Sequence, residues 1–296
     1  MRNLIVLFFF FFYLISFSQE ISGTIIDFDS SEKLPYANIT FLKVNKGNYS
    51  KEDGSFKLTL PNKDLITDSL LISFVGYPSK KISVKSLLNN HRTIKLKKDN
   101  QVLDEVILNV KKAKYSSTKS LSVKHKGLYA SSEPFGNETI TFIENEKNKK
   151  GKITNVELNF KANKRENIKT YKAYFRVKFY ELDSITKAPG KLLSYDDIII
   201  KPENKTQKVK VDLEDNFILF PKNGVFVGLE VIKPSSVTVN SSMYVVAPAI
   251  TKSHTETPLS WYRYRGKNWF LNDRKSPFKK KFYTSNYVSI DVKYIK

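Results

Sequence analysis

"YSKEDGSFKL", residues 49–58, holds two short strand-like arms around Asp53-Gly54. Asp-Gly suits the positive φ angles of a tight turn, where a β-branched residue would be strained. The stretch therefore reads as a β-hairpin. Side chains alternate along a strand, so Phe56 and Leu58 share one face and Ser55 and Lys57 the other.

The same pattern recurs on either side. "SGTIID" (22–27), "ANITFLKV" (37–44), "GSFKLTL" (54–60), "SLLISFV" (69–75), "HRTIKL" (91–96) and "VLDEVILNV" (102–110) are short runs rich in β-branched and aromatic residues. Asp29-Ser30-Ser31, Pro61-Asn62 and Gly76-Tyr77-Pro78 separate them as turn signals. Strands at that spacing predict a small antiparallel β-sandwich over residues 20–110. Residues 111–120, "KKAKYSSTKS", carry no apolar run and read as a linker.

Residues 121–296 continue in strands. They include "GKITNVELNFKA" (151–162), "TYKAYFRVKFYELD" (170–183), "DDIIIKP" (197–202), "TQKVKVDLE" (206–214), "GVFVGLEVI" (224–232), "SSMYVVAPAI" (241–250) and "NYVSIDVKYI" (286–295). In "FRVKFYELD", Phe175, Val177 and Phe179 face one way; Arg176, Lys178 and Tyr180 face the other. That alternation predicts a sheet with one dry and one wet face. No stretch beyond the N-terminus sustains a 3.6-residue apolar period. The expectation is an all-β chain of two β-sandwich domains.

The N-terminus has a different character. Arg2 precedes an unbroken apolar run of 12 residues, Leu4 to Ile15, and Ser16-Phe17-Ser18 places small residues before Gln19. This is the pattern of a signal peptide over residues 1–18. A spanning helix needs about 20 apolar residues, so cleavage is expected rather than anchoring. The protein is then exported to the periplasm, the outer membrane or the cell surface, with no transmembrane segment left. With no cysteine in the chain, it is not a lipoprotein, and disulfides, thiol catalysis and zinc–thiolate sites are excluded.

Lys and Arg total 50 against 29 Asp and Glu, a net charge of +21. Such a charge attracts anionic surfaces and polymers. Nucleic acid is the usual inference, but export argues against it. Envelope polysaccharide, lipid headgroups or an envelope protein fit the compartment better. The lysines are scattered along the chain and form no block of five or six like charges.

Several of these runs, in order, carry a resemblance. "ISGTIID" (21–27), "LPYANITF" (34–41), "GNYSKEDGSFKL" (47–58), "LLISFVGYPSKKISV" (70–84) and "VLDEVIL" (102–108) resemble the carboxypeptidase regulatory-like domain. The resemblance implies a transthyretin-like sandwich, found beside peptidases and at the N-terminus of TonB-dependent transporters. It implies an accessory module with no catalytic residues, in which Gly23, Gly54 and Gly76 meet backbone requirements. The family often has Asp or Asn where this chain has Lys51, which argues against a calcium cluster of Asp27, Asp29 and Asp53. Residues 111–296 are too few for a plug and a barrel of about 22 strands at roughly ten residues each. The C-terminal part is instead similar to a jelly-roll-like sandwich that follows such domains in envelope proteins, and more loosely to carbohydrate-binding modules.

Catalytic signatures are missing. His91, His125 and His254 show no metal-ligand spacing, and His254 reads as a surface residue in a Ser/Thr-rich loop. No nucleophile elbow, zinc-protease motif or phosphate loop occurs. Asp196-Asp197 is the best local carboxylate pair, but strand neighbours point apart. Asp68-Ser69-Leu70 and Asp183-Ser184-Ile185 resemble an O-glycosylation tripeptide and read equally as turns. No metal or cofactor is expected.

One stretch concentrates binding chemistry. "SWYRYRGKNWF" (260–270) packs two tryptophans, three more aromatics, two arginines and a lysine into eleven positions. Gly266-Lys267-Asn268 supplies a turn; Trp261, Arg263 and Arg265 share one face, and Tyr262 and Tyr264 the other. Trp261, Tyr262, Arg263, Tyr264, Arg265 and Trp269 are the candidate ligand-binding residues. The expected function is a non-catalytic cell-envelope binding, adhesion or scaffold protein. The alternatives are a glycan-binding module in the C-terminal sandwich and a hydrolase or peptidase-associated accessory protein.

Overall fold

The computed structural model describes residues 19–88, 92–99, 113–241 and 243–296. The segment 1–18 read as a signal peptide, His91 and the run 102–110 lie outside the described residues. The N-terminal body contains β1 (Glu20–Asp27), β2 (Asn38–Phe41), β3 (Gly47–Tyr49), β4 (Ser55–Thr59), β5 (Ser69–Phe74), β6 (Tyr77–Ser83) and β7 (Arg92–Leu96). They form two sheets, β4-β1-β7 and β3-β2-β5-β6. Ile21, Ile25, Ile39, Phe41, Phe56, Leu70 and Ile72 fill the space between them. Each large apolar side chain buried there contributes about 1.5–3 kcal/mol.

The arms of residues 49–58 do not pair with each other. β3 pairs with β2, while β4 pairs with β1 in the opposite sheet. The Asp53-Gly54 turn carries the chain across the sandwich instead of closing a hairpin. Phe56 and Leu58 still point into the core and Lys57 outward, as the alternation requires. The body is also not wholly antiparallel, because β7 runs parallel to β1.

The C-terminal body is larger. Its strands are β8 (Lys119–Ser122), β9 (Leu128–Ser131), β10 (Asn137–Ile143), β11 (Gly151–Lys161), β12 (Lys169–Lys172), β13 (Tyr174–Leu182), β14 (Pro189–Leu192), β15 (Ile198–Ile200) and β16 (Gln207–Asp212). There follow β17 (Ile218–Phe220), β18 (Val225–Ile232), β19 (Tyr244–Ala247), β20 (Ala249–Thr255), β21 (Ser260–Tyr264), β22 (Phe270–Leu271), β23 (Tyr283–Asn286) and β24 (Val288–Tyr294). One sheet runs β14-β13-β18-β10-β21-β22, with β15 on β13. The other runs β23-β20-β11-β24-β8, with β16 and β17 on β11 and β9 on β20. Phe175, Val177 and Phe179 meet Val156, Leu158 and Phe160 in the core between the sheets.

Part of the expected linker already belongs to this sandwich. Tyr115 bridges Ile295, and Lys119–Ser122 pairs with β24. His254 is not a surface loop residue either. It lies in β20, is buried, and stacks on Tyr129 at 4.8 Å. Burial first, and then the nearby Lys279 ammonium, lower its pKa. No described helix is long and apolar enough to cross a membrane.

The four-stranded sheet of the N-terminal body lies on the outer face of the seven-stranded sheet. Tyr36, Tyr49 and Ile232 form a small apolar cluster across that junction. The face predicted to be wet is therefore covered: Arg176 is 1% exposed, Lys178 8% and Tyr180 3%.

Candidate functional site

The covered face carries a row of charges set by strand register. Arg176 on β13 lies opposite Glu230 on β18. Glu230 lies opposite Glu138 on β10, and Glu138 opposite Arg263 on β21. Two carboxylates directly opposite each other repel. Lys178 resolves the conflict, because its Nζ reaches Glu138 at 3.0 Å and Glu230 at 2.8 Å. Its cross-strand neighbour is Gly228. A Cβ there would stand 2.9 Å from Ile140 and 3.3 Å from the Tyr180 ring, so the absent side chain makes the room.

The row is balanced. Arg176, Lys178 and Arg263 are matched by Asp197, Glu230 and Glu138. Arg176 engages Asp197 through Nε at 2.5 Å and Nη2 at 3.3 Å, a two-pronged contact that a lysine could not make. Arg263 reaches Glu138 through Nε at 2.8 Å and donates from Nη2 to the Tyr180 hydroxyl. Burial alone would raise the Glu138 and Glu230 pKa values. Arg263 and Lys178 around Glu138, and Lys178 and Arg176 around Glu230, outweigh it and hold both below the ordinary carboxylate range. Burial also pushes the Tyr49 and Tyr180 hydroxyls well above their usual pKa, so both remain donors.

The N-terminal body closes over this row with polar contacts of its own. Arg176 donates from both Nη atoms to the Tyr36 carbonyl, each at 3.1 Å. The Tyr49 hydroxyl donates to Glu230 at 2.8 Å. Asn38 donates to the Arg265 carbonyl at 2.8 Å and accepts from Arg265 Nη1 at 3.2 Å. Lys267 Nζ is held by the carbonyls of Leu42 and Val44 and by Asn45 Oδ1. Two glycines permit the approach: a Cβ on Gly76 would meet Tyr195, and one on Gly266 would meet Ser73, each at 2.7 Å. Both also hold positive φ, +80° and +68°.

The closure is incomplete. A cavity of about 260 Å³ remains between the two bodies. Phe74 and Tyr77 of the first body and Tyr180 and Trp269 of the second are among its walls, with Glu230 and Arg263. The Arg263 guanidinium lies 4.2 Å from the centre of the Trp269 ring. The lining thus offers aromatic faces beside a charge-balanced, hydrogen-bonding side.

The six candidate ligand-binding residues occupy different places. Trp269 and Arg263 line the cavity. Trp261 is half-buried against the cluster of Ile140, Tyr180 and Phe226. Tyr262 faces Phe270 with ring centres 5.9 Å apart. Tyr264 accepts from Arg265 Nε, and Arg265 is buried at the junction, over the Tyr49 ring. The turn falls at Arg265-Gly266.

Alternation puts Arg176 and Lys178 on a polar face but does not single out Arg176, Lys178, Glu138 and Glu230 as a buried row. One signal was available: β18 reads "VFVGLEVI" without alternation, the pattern of a strand buried on both faces. A glutamate inside such a run requires a buried partner.

The other acids do structural work. Asp197 belongs to the row, whereas Asp196 accepts from Ser194 and Asn216. Asp27 and Asp53 accept backbone N–H groups of their own turns. Asp183 closes the turn that presents exposed Ser184, while Ser69 sits half-buried in β5. Among the described residues no three His, Cys, Asp or Glu gather as a metal site.

No curated protein matches the chain. Among solved structures, a DUF3823 family protein from Bacteroides uniformis ATCC 8492 is 8% identical, covering 92% of this chain and 98% of its own, at a TM-score of 0.25. A candidate carbohydrate-binding protein from the same organism is 11% identical, covering 78% and 94%, at 0.21. A structure of infectious bursal disease virus, Gt strain, is 8% identical, covering 94% and 60%, at 0.26. The N-terminal body carries a family match: residues 21–108 match the model of the CarboxypepD_reg-like domain.

Proposed function

We propose that this is a non-catalytic binding protein of the cell envelope, whose site is the cavity between its two bodies and whose ligand is a neutral sugar residue. The observation that carries this reading is the lining itself. Sugar rings present C–H faces that stack on aromatics and hydroxyls that bond to charged groups. Trp269, Tyr77 and Phe74 offer the first, and Glu230 and Arg263 the second. An anionic or cationic ligand would find every charge of the row already matched. The volume suits one ring rather than a long chain, being below that of common drug-sized pockets.

A hydrolase reading has less support. Two-carboxylate glycoside hydrolysis needs one acid of raised pKa. Glu138 and Glu230 are both lowered by their cations.

The test is titration with a panel of neutral monosaccharides and disaccharides, followed by Trp269 fluorescence in a Trp261→Phe background. Binding is expected, and Leu192→Phe, which adds bulk at the cavity wall without a second tryptophan, should weaken or abolish it. If no sugar binds, or if Leu192→Phe binds equally well, the reading fails.

A further inference from the structure

A second surface, outside the charged row, carries a different chemistry. Between β22 and β23 the chain runs "DRKSPFKKKF", residues 273–282. Arg274, Lys275, Lys279, Lys280 and Lys281 are all exposed. Asp273 is the only acid in the stretch, and among the described residues none of the five cations makes an ion pair. By contrast, Lys124 and Lys126 on the adjoining turn are paired with Glu146 and Glu256. The loop therefore concentrates five unpaired cations within eight positions, broken only by Ser276-Pro277-Phe278.

An apolar residue stands in the middle of these cations. Phe278 is 71% exposed, and the Leu128 side chain of β9 is 46% exposed. The loop is built to hold Phe278 there. Ser276 is buried and accepts from the backbone N–H groups of Phe278 and Lys279 at 3.2 and 3.3 Å. Its own N–H donates to the Phe282 carbonyl, and Phe282 N–H to the Lys279 carbonyl. Lys279 Nζ ties the loop to the Lys126 carbonyl at 3.0 Å, and Tyr129 supports the Phe278 ring from one edge at 5.2 Å. The other side of that ring is in water.

We propose that loop 273–282 docks the protein on an anionic lipid surface, with Phe278 entering the headgroup layer and the flanking lysines and Arg274 lying on phosphates. Charge complementarity supplies the attraction. Phe278 distinguishes this occupant from a soluble polyanion, since only a bilayer offers an apolar phase for it.

The experiment is cosedimentation of the chain from Gln19 onward, which contains every described residue, with vesicles of phosphatidylglycerol and phosphatidylcholine in equal parts. Vesicles of phosphatidylcholine alone and soluble alginate are the comparison arms. Binding is expected to the anionic vesicles only, and to weaken as salt is raised. Lys279, Lys280 and Lys281 changed together to Gln should lower the partition roughly a hundredfold. Phe278→Ser should lower it by about tenfold while leaving any alginate binding unchanged. Lys63, Lys81 and Lys85 changed together to Gln remove the same charge from the other body and should have little effect. The exposed loop makes the thermal midpoint a clean folding control. No binding to anionic vesicles at low salt overturns the proposal. So does equal binding of Phe278→Ser to the anionic vesicles, which would leave charge alone as the attraction, and binding to alginate as tight as to the vesicles would assign the loop to polysaccharide.

Discussion

The two outer faces of the C-terminal sandwich carry the same kind of pattern and meet opposite fates. On the eight-stranded sheet, Lys208 reaches Glu157 and Lys210 reaches Asp291, with the lysines 72% and 55% exposed. On the seven-stranded sheet, Arg176, Glu230, Glu138 and Arg263 form the corresponding cross-strand row, yet Arg176 is 1% exposed. Charges in water interact weakly, because solvent screens them and long side chains lose freedom in pairing. Charges under a second body must be matched in full, because removing one partner strands the other. The difference lies in what covers the sheet, not in the strands.

The largest test of that contrast is Glu230→Ala, which leaves the buried row one negative charge short, with Arg176 held by Asp197 alone among acids and Lys178 by Glu138 alone. It should cost about 3–5 kcal/mol in chemical denaturation. Gly76→Val comes next. It combines a positive φ with a collision at Tyr195 and should cost about 1–3 kcal/mol, with faster proteolysis between the bodies.

Acid titration separates the two faces by their pH window. Glu138 and Glu230 have folded pKa values below their unfolded value of about 4.5. Their contribution is complete above that pH and is lost as pH falls below it toward the folded values. Melting scans between pH 6 and pH 3 should therefore fall steeply below about pH 4.5, and Glu138→Gln with Glu230→Gln should flatten the slope from a lower starting point. The smallest effect is expected for Lys208→Ala on the solvent face, at most about 1 kcal/mol and reduced further by salt. Equal losses for Glu230→Ala and Lys208→Ala would remove the distinction.

How much of this was legible follows from the same comparison. Alternation placed Phe56 and Leu58 in one core and Phe175, Val177 and Phe179 in the other, because a period of two has one apolar outcome. It could not say that Arg176 and Lys178 are buried, since a polar face looks alike under water and under a neighbouring body. The hairpin reading of residues 49–58 failed for a related reason. Asp53-Gly54 specifies a reversal of direction, whereas pairing with β1 or β3 is settled by partners distant in sequence. Of the six candidate binding residues, only the register of β21 separates Arg263, which bonds Glu138, from Tyr262, which faces Phe270.

Asn38 and Arg265 are 227 residues apart and bond each other across the junction. The first body has its own core and both of its sheets before Arg265 is synthesised. Its polar face of Tyr36, Asn38 and Tyr49 must therefore wait, solvated, while the second sandwich is made and folded. Docking then joins two surfaces that each body has already built, as expected where domains fold as units.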